Sequence, residues 1–263
     1  MTRLVVLGAG RMGAALVEGM VAGGEDPAAI AVVELDPDRR AELQDRLPGL
    51  RAVAEPVASD GALLAVKPGD AEAACRALAA VEVPRVVSVM AGVTLEALGR
   101  WLPGSAVLRA MPNTPALVGA GISALCAAPG VAEADISWAE SLLRAVGTVV
   151  RLPERAFDAV TGLSGSGPAY VFLVAEALEE AGVLAGLPRA VSRQLAAHTL
   201  AGSGRLLLQP GAEPASLRAD VTSPGGTTAA GLHVLESRAV RAALLDAVLA
   251  AAERSRQLAP PSV

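Results

Sequence analysis

Along the first half of the chain, short apolar runs rich in β-branched residues alternate with stretches whose apolar positions recur every three or four residues. The runs Leu4–Leu7, Ile30–Glu34, Leu63–Val66, Val86–Val89 and Ala106–Arg109 predict strands. Between them, Met12–Ala22, Pro37–Arg46, Asp70–Ala79 and Leu95–Trp101 predict helices. Strand–helix–strand alternation at this spacing points to βαβ units and a mostly parallel sheet. A last pair of strands, Gly121–Cys126 and Thr148–Leu152, flanks a helix from about Ala132 to Ala145. After about Arg155 the strand signals stop, and Ala169–Ala185, Val191–Leu208 and Ala239–Gln257 read as long helices of small side chains. Gly165-Ser166-Gly167-Pro168 looks like the opening of the first, with Ser166 as cap and proline in the first turn. Gly182 and Gly186 fall near its end, where a left-handed cap is expected. The pattern predicts an α/β domain over residues 1–153 and an all-α domain over 154–263. Helices this rich in alanine approach closely, so the second domain is expected to pair with a second copy. The tail Ala259–Val263 reads as disordered.

Composition narrows the class. Hydrophobic residues make up 52% of the 263 but aromatics only 2%, which suits thin helices better than a β-sandwich. With 22 basic and 27 acidic side chains the net charge is −5, against a nucleic-acid partner, which needs clustered Lys and Arg. Two cysteines, Cys75 and Cys126, cannot staple a chain of this size and fit a reducing, cytoplasmic setting. The longest uncharged stretch, Ala110–Ala132, is broken by Pro112, Pro115 and Pro129, so no membrane partner is expected.

Four segments carry candidate chemistry. Gly8-Ala9-Gly10-Arg11-Met12-Gly13 follows a strand and opens a helix. Gly8 would permit the tight turn, Gly10 the approach of a pyrophosphate, and Gly13 close helix–strand packing. Glu34, about 20 residues further on at a strand end, is placed to accept from the ribose hydroxyls. With Asp36 it favours NADH over NADPH, whereas Arg39 and Arg40 either fold onto a 2′-phosphate or form an ordinary solvated face. Ala65-Val66-Lys67-Pro68 closes another strand on the edge where ligands lie; Lys67 is either beside a ligand or a surface lysine. Met111-Pro112-Asn113-Thr114-Pro115 makes a loop stiffened by two prolines, either functional or a plain turn. Asp220–His233 places Ser223-Pro224-Gly225-Gly226-Thr227-Thr228 before an apolar helix. It is either a capped helix start or a nest of backbone N–H groups for an anion, such as a small carboxylate substrate.

Other chemistries lack their residues. His198 and His233 have no partners at metal-binding spacing, so no metal is expected, and His198 reads as structural. Neither cysteine sits in a C-x-x-C pair, and no G-x-S-x-G elbow occurs.

Together these segments resemble the Δ1-pyrroline-5-carboxylate reductase family. The resemblance rests on Gly8–Gly13, Ala65–Pro68, Arg109–Ala116, Gly165–Tyr170 and Val221–Glu236, in the family's order over nearly the whole chain. It implies a Rossmann-type domain over 1–153, a helical dimerisation and substrate domain over 154–263, and dimers or rings of dimers. It also implies reduction of a cyclic imino acid, pyrroline-5-carboxylate, to L-proline with NAD(P)H, the last step of proline biosynthesis. On that resemblance Ser223, Gly225, Gly226, Thr227 and Lys67 would hold the substrate. Thr228 would be catalytic, facing the ring nitrogen. Gly8, Gly10, Arg11, Met12, Gly13, Glu34, Ala65, Val66, Lys67, Pro68 and Asn113 would hold the nucleotide. In the family the site forms where protomers interlock, so nucleotide and carboxylate would be held by different chains. Two departures stand out: Glu34-Leu35-Asp36 replaces a 2′-phosphate-reading segment, and Ala52–Pro56 is short and lacks a ribose-side Asn. The alternatives are a related two-domain imine or β-hydroxyacid reductase and a non-catalytic dinucleotide sensor. Ala169–Ala185 lacks the catalytic Lys of the β-hydroxyacid enzymes, and a sensor needs only the first anion site.

Overall fold

The computed structural model describes residues 2–258, so the tail Ala259–Val263 lies outside the described residues. Eight strands form one sheet: β1 (Leu4–Leu7), β2 (Ile30–Val33), β3 (Arg51–Val53), β4 (Ala62–Leu64), β5 (Arg85–Ser88), β6 (Ala106–Met111), β7 (Gly121–Ala127) and β8 (Gly147–Arg151). Their order is β3-β2-β1-β4-β5-β6-β7-β8, parallel throughout except where β7 runs against β6. Helices α1 (Arg11–Ala22), α2 (Pro37–Arg46), α3 (Ala71–Ala79), α4 (Leu95–Trp101) and α5 (Glu133–Arg144) join them.

Strand alternation divides the core in two. Leu4, Val6, Ile30, Val32, Leu63, Val87 and Leu108 face one way, against Leu16 and Met20 of α1 and Leu143 of α5. Val5, Leu7, Ala31, Val33, Leu64, Val86 and Val107 face the other, against Leu78 of α3 and Leu98 of α4. With both faces covered, β1, β2 and β4 are apolar at every position, which is why they read as unbroken runs.

Past β8 come α6 (Phe157–Val160), a wider π-type turn over Thr161–Gly165, α7 (Gly167–Leu184), α8 (Arg189–Leu207), α9 (Pro214–Asp220), α10 (Thr227–Ser237) and α11 (Val240–Leu258). Among the described residues two compact units result: 2–166 together with 250–258, and Gly167–Leu249. The last strand, β8, ends at Arg151, two residues before the change placed at 153–154 from sequence, and packing carries Glu154–Ser166 into the first unit. Among the described residues, no helix is long and apolar enough to cross a membrane.

Two sequence expectations are corrected, and one strand is added. The strand β3 was not anticipated; it is three residues at the sheet edge, beginning with a charged one, too short to show a period. Ser166 does not cap a helix: its backbone is right-handed helical, and its N–H donates to the Thr161 carbonyl at 2.8 Å. Gly186 does take the left-handed conformation at φ +99°, but Gly182 lies inside α7. There a β-carbon would strike Ser192 of α8, whose hydroxyl donates to the Glu179 carbonyl at 2.6 Å.

Candidate active site

The strand order places β1 between β2 and β4, the point where successive connections leave in opposite directions and a crevice opens at the carboxyl ends. Three sequence-predicted segments meet there. The Gly8 N–H donates to Val33 O at 3.0 Å, just before Glu34, and the Ala65 N–H donates to Leu7 O at 2.8 Å. Gly8 has φ +99°, and a β-carbon on it would lie 2.7 Å from the Ala65 carbonyl oxygen. A β-carbon on Gly13 would strike the Gly8 carbonyl. Gly10, in contrast, has nothing within 4 Å of where its β-carbon would be. It precedes α1, whose first turn has no side-chain cap and no acid, so the N–H groups of Arg11, Met12 and Gly13 lack intrahelical acceptors. These donors, with the room beside Gly10, fit the pyrophosphate of a dinucleotide.

Beside this loop, the Glu34 carboxylate accepts from the Asp36 N–H at 3.1 Å. Asp36 caps α2, accepting from the Asp38 N–H at 2.9 Å. The Arg40 guanidinium donates to the carbonyls of Glu34 at 2.6 Å and Leu35 at 2.9 Å, so it braces the turn after β2. Arg39 lies 3.9 Å from Asp36, a loose surface pair. Lys67 is exposed on extended backbone directly after Val66 and before Pro68.

The loop after β6 is held from within. Asn113 is buried, and its Oδ1 accepts from the Ile122 N–H at 2.9 Å, which closes the turn between β6 and β7. Its amide nitrogen is left to donate elsewhere. The short helical turn Thr114–Val118 that follows packs against α1.

The second unit carries the other anion motif. Gly225 adopts φ +69°, a conformation that disfavours any side chain, and the Gly226 N–H donates to Ser223 O at 3.0 Å. Gly226 then starts α10, which has neither a side-chain cap nor an acid in its first turn. The N–H groups of Thr227 and Thr228 therefore lack intrahelical acceptors, and both hydroxyls stand exposed beside them. Ser223, Gly225, Gly226, Thr227 and Thr228 are thus gathered in one turn. The Thr222 hydroxyl, donating to Arg218 O at 2.6 Å, fixes its approach from α9.

Burial pushes the Cys75 thiol up to about 11, with Glu72 adding to the shift, and pushes Cys126 up to about 12, with Glu154 beside it. Neither is a nucleophile at neutral pH. His198 is exposed on α8. No group of three or more His, Cys, Asp or Glu able to hold a metal occurs among the described residues. A part-buried pair absent from the sequence-based site set also appears: the buried Arg109 on β6 donates to the half-buried Glu154 at 2.7 Å. The only trace of it in the sequence is a charged residue at the end of an apolar strand run.

A family model described as pyrroline-5-carboxylate reductase dimerisation matches residues 154–258. Another, described as NADP oxidoreductase coenzyme F420-dependent, matches residues 3–92. A pyrroline-5-carboxylate reductase from Synechocystis sp. is 48% identical over 201 residues, covering 76% of this chain and 75% of that one. The solved structure of a pyrroline-5-carboxylate reductase from Coxiella burnetii superposes with a TM-score of 0.93 at 34% identity over 99% of both chains. A Plasmodium falciparum pyrroline carboxylate reductase, solved with NADP bound, gives a TM-score of 0.86 at 27% identity over 98% of both.

Proposed function

The chain belongs to the pyrroline-5-carboxylate reductase family, and from that premise we propose how its own residues divide the work of reducing Δ1-pyrroline-5-carboxylate to L-proline. A pyridine nucleotide is the cofactor, and when bound it supplies the hydride. Gly8, Gly10 and Gly13, with the N–H groups of Arg11 and Met12, hold its pyrophosphate; Ala65, Val66, Lys67, Pro68 and Asn113 border the rest. Glu34 accepts from the ribose hydroxyls, and its charge, with that of Asp36, favours NADH. Arg40, held on backbone carbonyls, is not free to answer a 2′-phosphate.

In the second unit, Ser223 and the N–H groups of Gly225 and Thr227 take the substrate carboxylate, while the Gly226 N–H, donating to Ser223 O, closes the turn that presents them. The Thr228 hydroxyl faces the ring nitrogen and donates to it as the imine becomes an amine. A protonated imine carbon is already electrophilic, so the chain's task is to orient, not to activate through a metal or a covalent adduct. The observation that carries this assignment is the uncapped start of α10 behind a left-handed glycine, a ready anion nest with two hydroxyls attached.

The chain self-associates, and we assign that role to residues 154–263, leaving the nucleotide to 1–153. Exposed apolar side chains on α7 and α8, including Phe172, Leu173, Leu195 and Leu206, support a dimer as the unit, alone or in a ring. Both thiols being inert and unpaired suits a reducing cytoplasm.

The test is nucleotide consumption with pyrroline-5-carboxylate, compared for NADH and NADPH. Substrate-dependent oxidation with a higher kcat/KM for NADH is expected. A strong NADPH preference would overturn the assignment of Glu34, and no oxidation would overturn the function.

A further inference from the structure

On β6 the side chains that share a face are Val107, Arg109 and Met111. Val107 packs into the apolar core of that face, but its neighbour is a guanidinium only 8% exposed. Arg109 Nη1 donates to Glu154 Oε1 at 2.7 Å, the guanidinium lies 4.8 Å from the centre of the Phe157 ring, and Nε is buried with no partner. The same Glu154 oxygen accepts from the Leu95 N–H at 2.8 Å. One carboxylate oxygen therefore joins β6, the first turn of α4 and the start of the segment 154–166.

Two residues along β6, about 7 Å further, Met111 meets the other end of that segment. A β-carbon on Gly165 would lie 3.0 Å from Met111 Cε. The segment is thus held against β6 at both ends, by a charged pair at Glu154 and by a glycine-to-methionine contact at Gly165. Between them Asp158 accepts from the Ser255 hydroxyl at 2.7 Å, which fixes its middle to α11. Directly after Met111 comes Pro112-Asn113.

Packing alone does not explain a buried guanidinium here. Well-packed apolar residues in place of a buried ion pair are often neutral or stabilising, whereas removal of one partner is costly. The geometry offers a different use. The Arg109 fork is planar and stacks on Phe157, so it fixes distance and angle together, which an ammonium or a methyl group would not.

We propose that Arg109 and Glu154 are positioning residues for the reduction: the pair sets the end of β6 and so the placement of the Met111–Asn113 loop against the nucleotide. This rests on the assignment of Asn113 to the nucleotide side of the site. Misplacement of a reacting group by about 1 Å is enough to cost a large factor in rate, so the pair acts on turnover while touching neither reactant.

The experiment compares wild type with Glu154→Gln, Arg109→Lys, Arg109→Met and Asn113→Asp. Glu154→Gln retains an acceptor for Leu95 and removes only the charge. Asn113→Asp retains the acceptor for Ile122 and removes the amide donor. Each is measured for kcat, for both KM values, for NADH affinity by fluorescence titration, and for thermal midpoint. Glu154→Gln and Arg109→Met are expected to lower kcat at least tenfold with NADH affinity within threefold of wild type, because the Gly8–Gly13 loop is untouched. Arg109→Lys is expected to recover part of the loss seen in Arg109→Met. If kcat per folded molecule is unchanged in Glu154→Gln and Arg109→Lys, and only the midpoint moves, the pair is structural and the proposal fails. Asn113→Asp separates the two levels. If it is impaired while the pair variants are not, the loop assignment stands and the pair falls. If Asn113→Asp is fully active, the loop assignment falls and takes the pair with it.

Discussion

At the scale of single residues, the glycines of the first loop have different duties, and substitution separates them. Gly8→Ala places a side chain at φ +99° and against the Ala65 carbonyl, so it should destabilise the fold by about 1–3 kcal/mol. Gly10→Ala meets no protein atom within 4 Å, so its thermal midpoint should match wild type while the nucleotide KM rises more than about tenfold. Equal midpoints for the two variants would refute this division. Thr228→Ala should lower kcat by roughly 10²-fold, the lower end for loss of a positioned proton donor, with Thr228→Ser largely active. Unchanged turnover in Thr228→Ala would remove it as the donor. Asp36 caps α2, and on the proposed preference for NADH it also repels a 2′-phosphate. Asp36→Ser should therefore relax nucleotide choice with the cap intact, whereas Asp36→Ala should also cost about 1 kcal/mol of stability.

At the scale of elements, helix α7 shows what periodicity conveys and what it hides. Its extent was legible, because small apolar residues recur over many turns. Its first turn was misread, because Ser166 has the sequence of a cap but its N–H is already taken by Thr161 in the wider turn. Gly182 was misread for a related reason: a glycine near a helix end resembles a cap, and only the approach of α8 shows that it makes room for Ser192. Gly182→Ala should destabilise by about 1–3 kcal/mol despite alanine's better helix propensity, and Ser192→Gly in the same chain should relieve part of that. Thermal melts of the single and double variants check it; additive losses would mean the helices do not meet at this point. The strand β3 was invisible because it owes its place to pairing with β2 and not to its own three residues. The glycine turns before α1 and α10 were legible by contrast, since glycine, proline and hydroxyl residues specify local backbone without help from distant partners. The Arg109–Glu154 pair was not, because 45 residues separate its members.

For the whole molecule, alkaline pH acts through the two thiols. Both are held above the ordinary value in the folded chain, Cys75 at about 11 and Cys126 at about 12. The unfolded chain loses these protons first. The stability they contribute is complete below about pH 9 and is lost as pH rises towards 11 and 12. Cys126→Ala should flatten the alkaline limb of a midpoint-against-pH curve, and an unchanged limb would contradict the burial of the thiol. Assembly is the other global property. Leu173 and Phe172 on α7 are 65% and 62% exposed in the single chain, beside further exposed leucines on α8. A surface of that kind ties the lifetime of the enzyme to how much of it there is. By mass action, each tenfold dilution shifts the balance toward lone chains whose greasy helices have nothing to lie against. Sparse expression would then limit proline output twice, through fewer molecules and through a smaller working fraction of them.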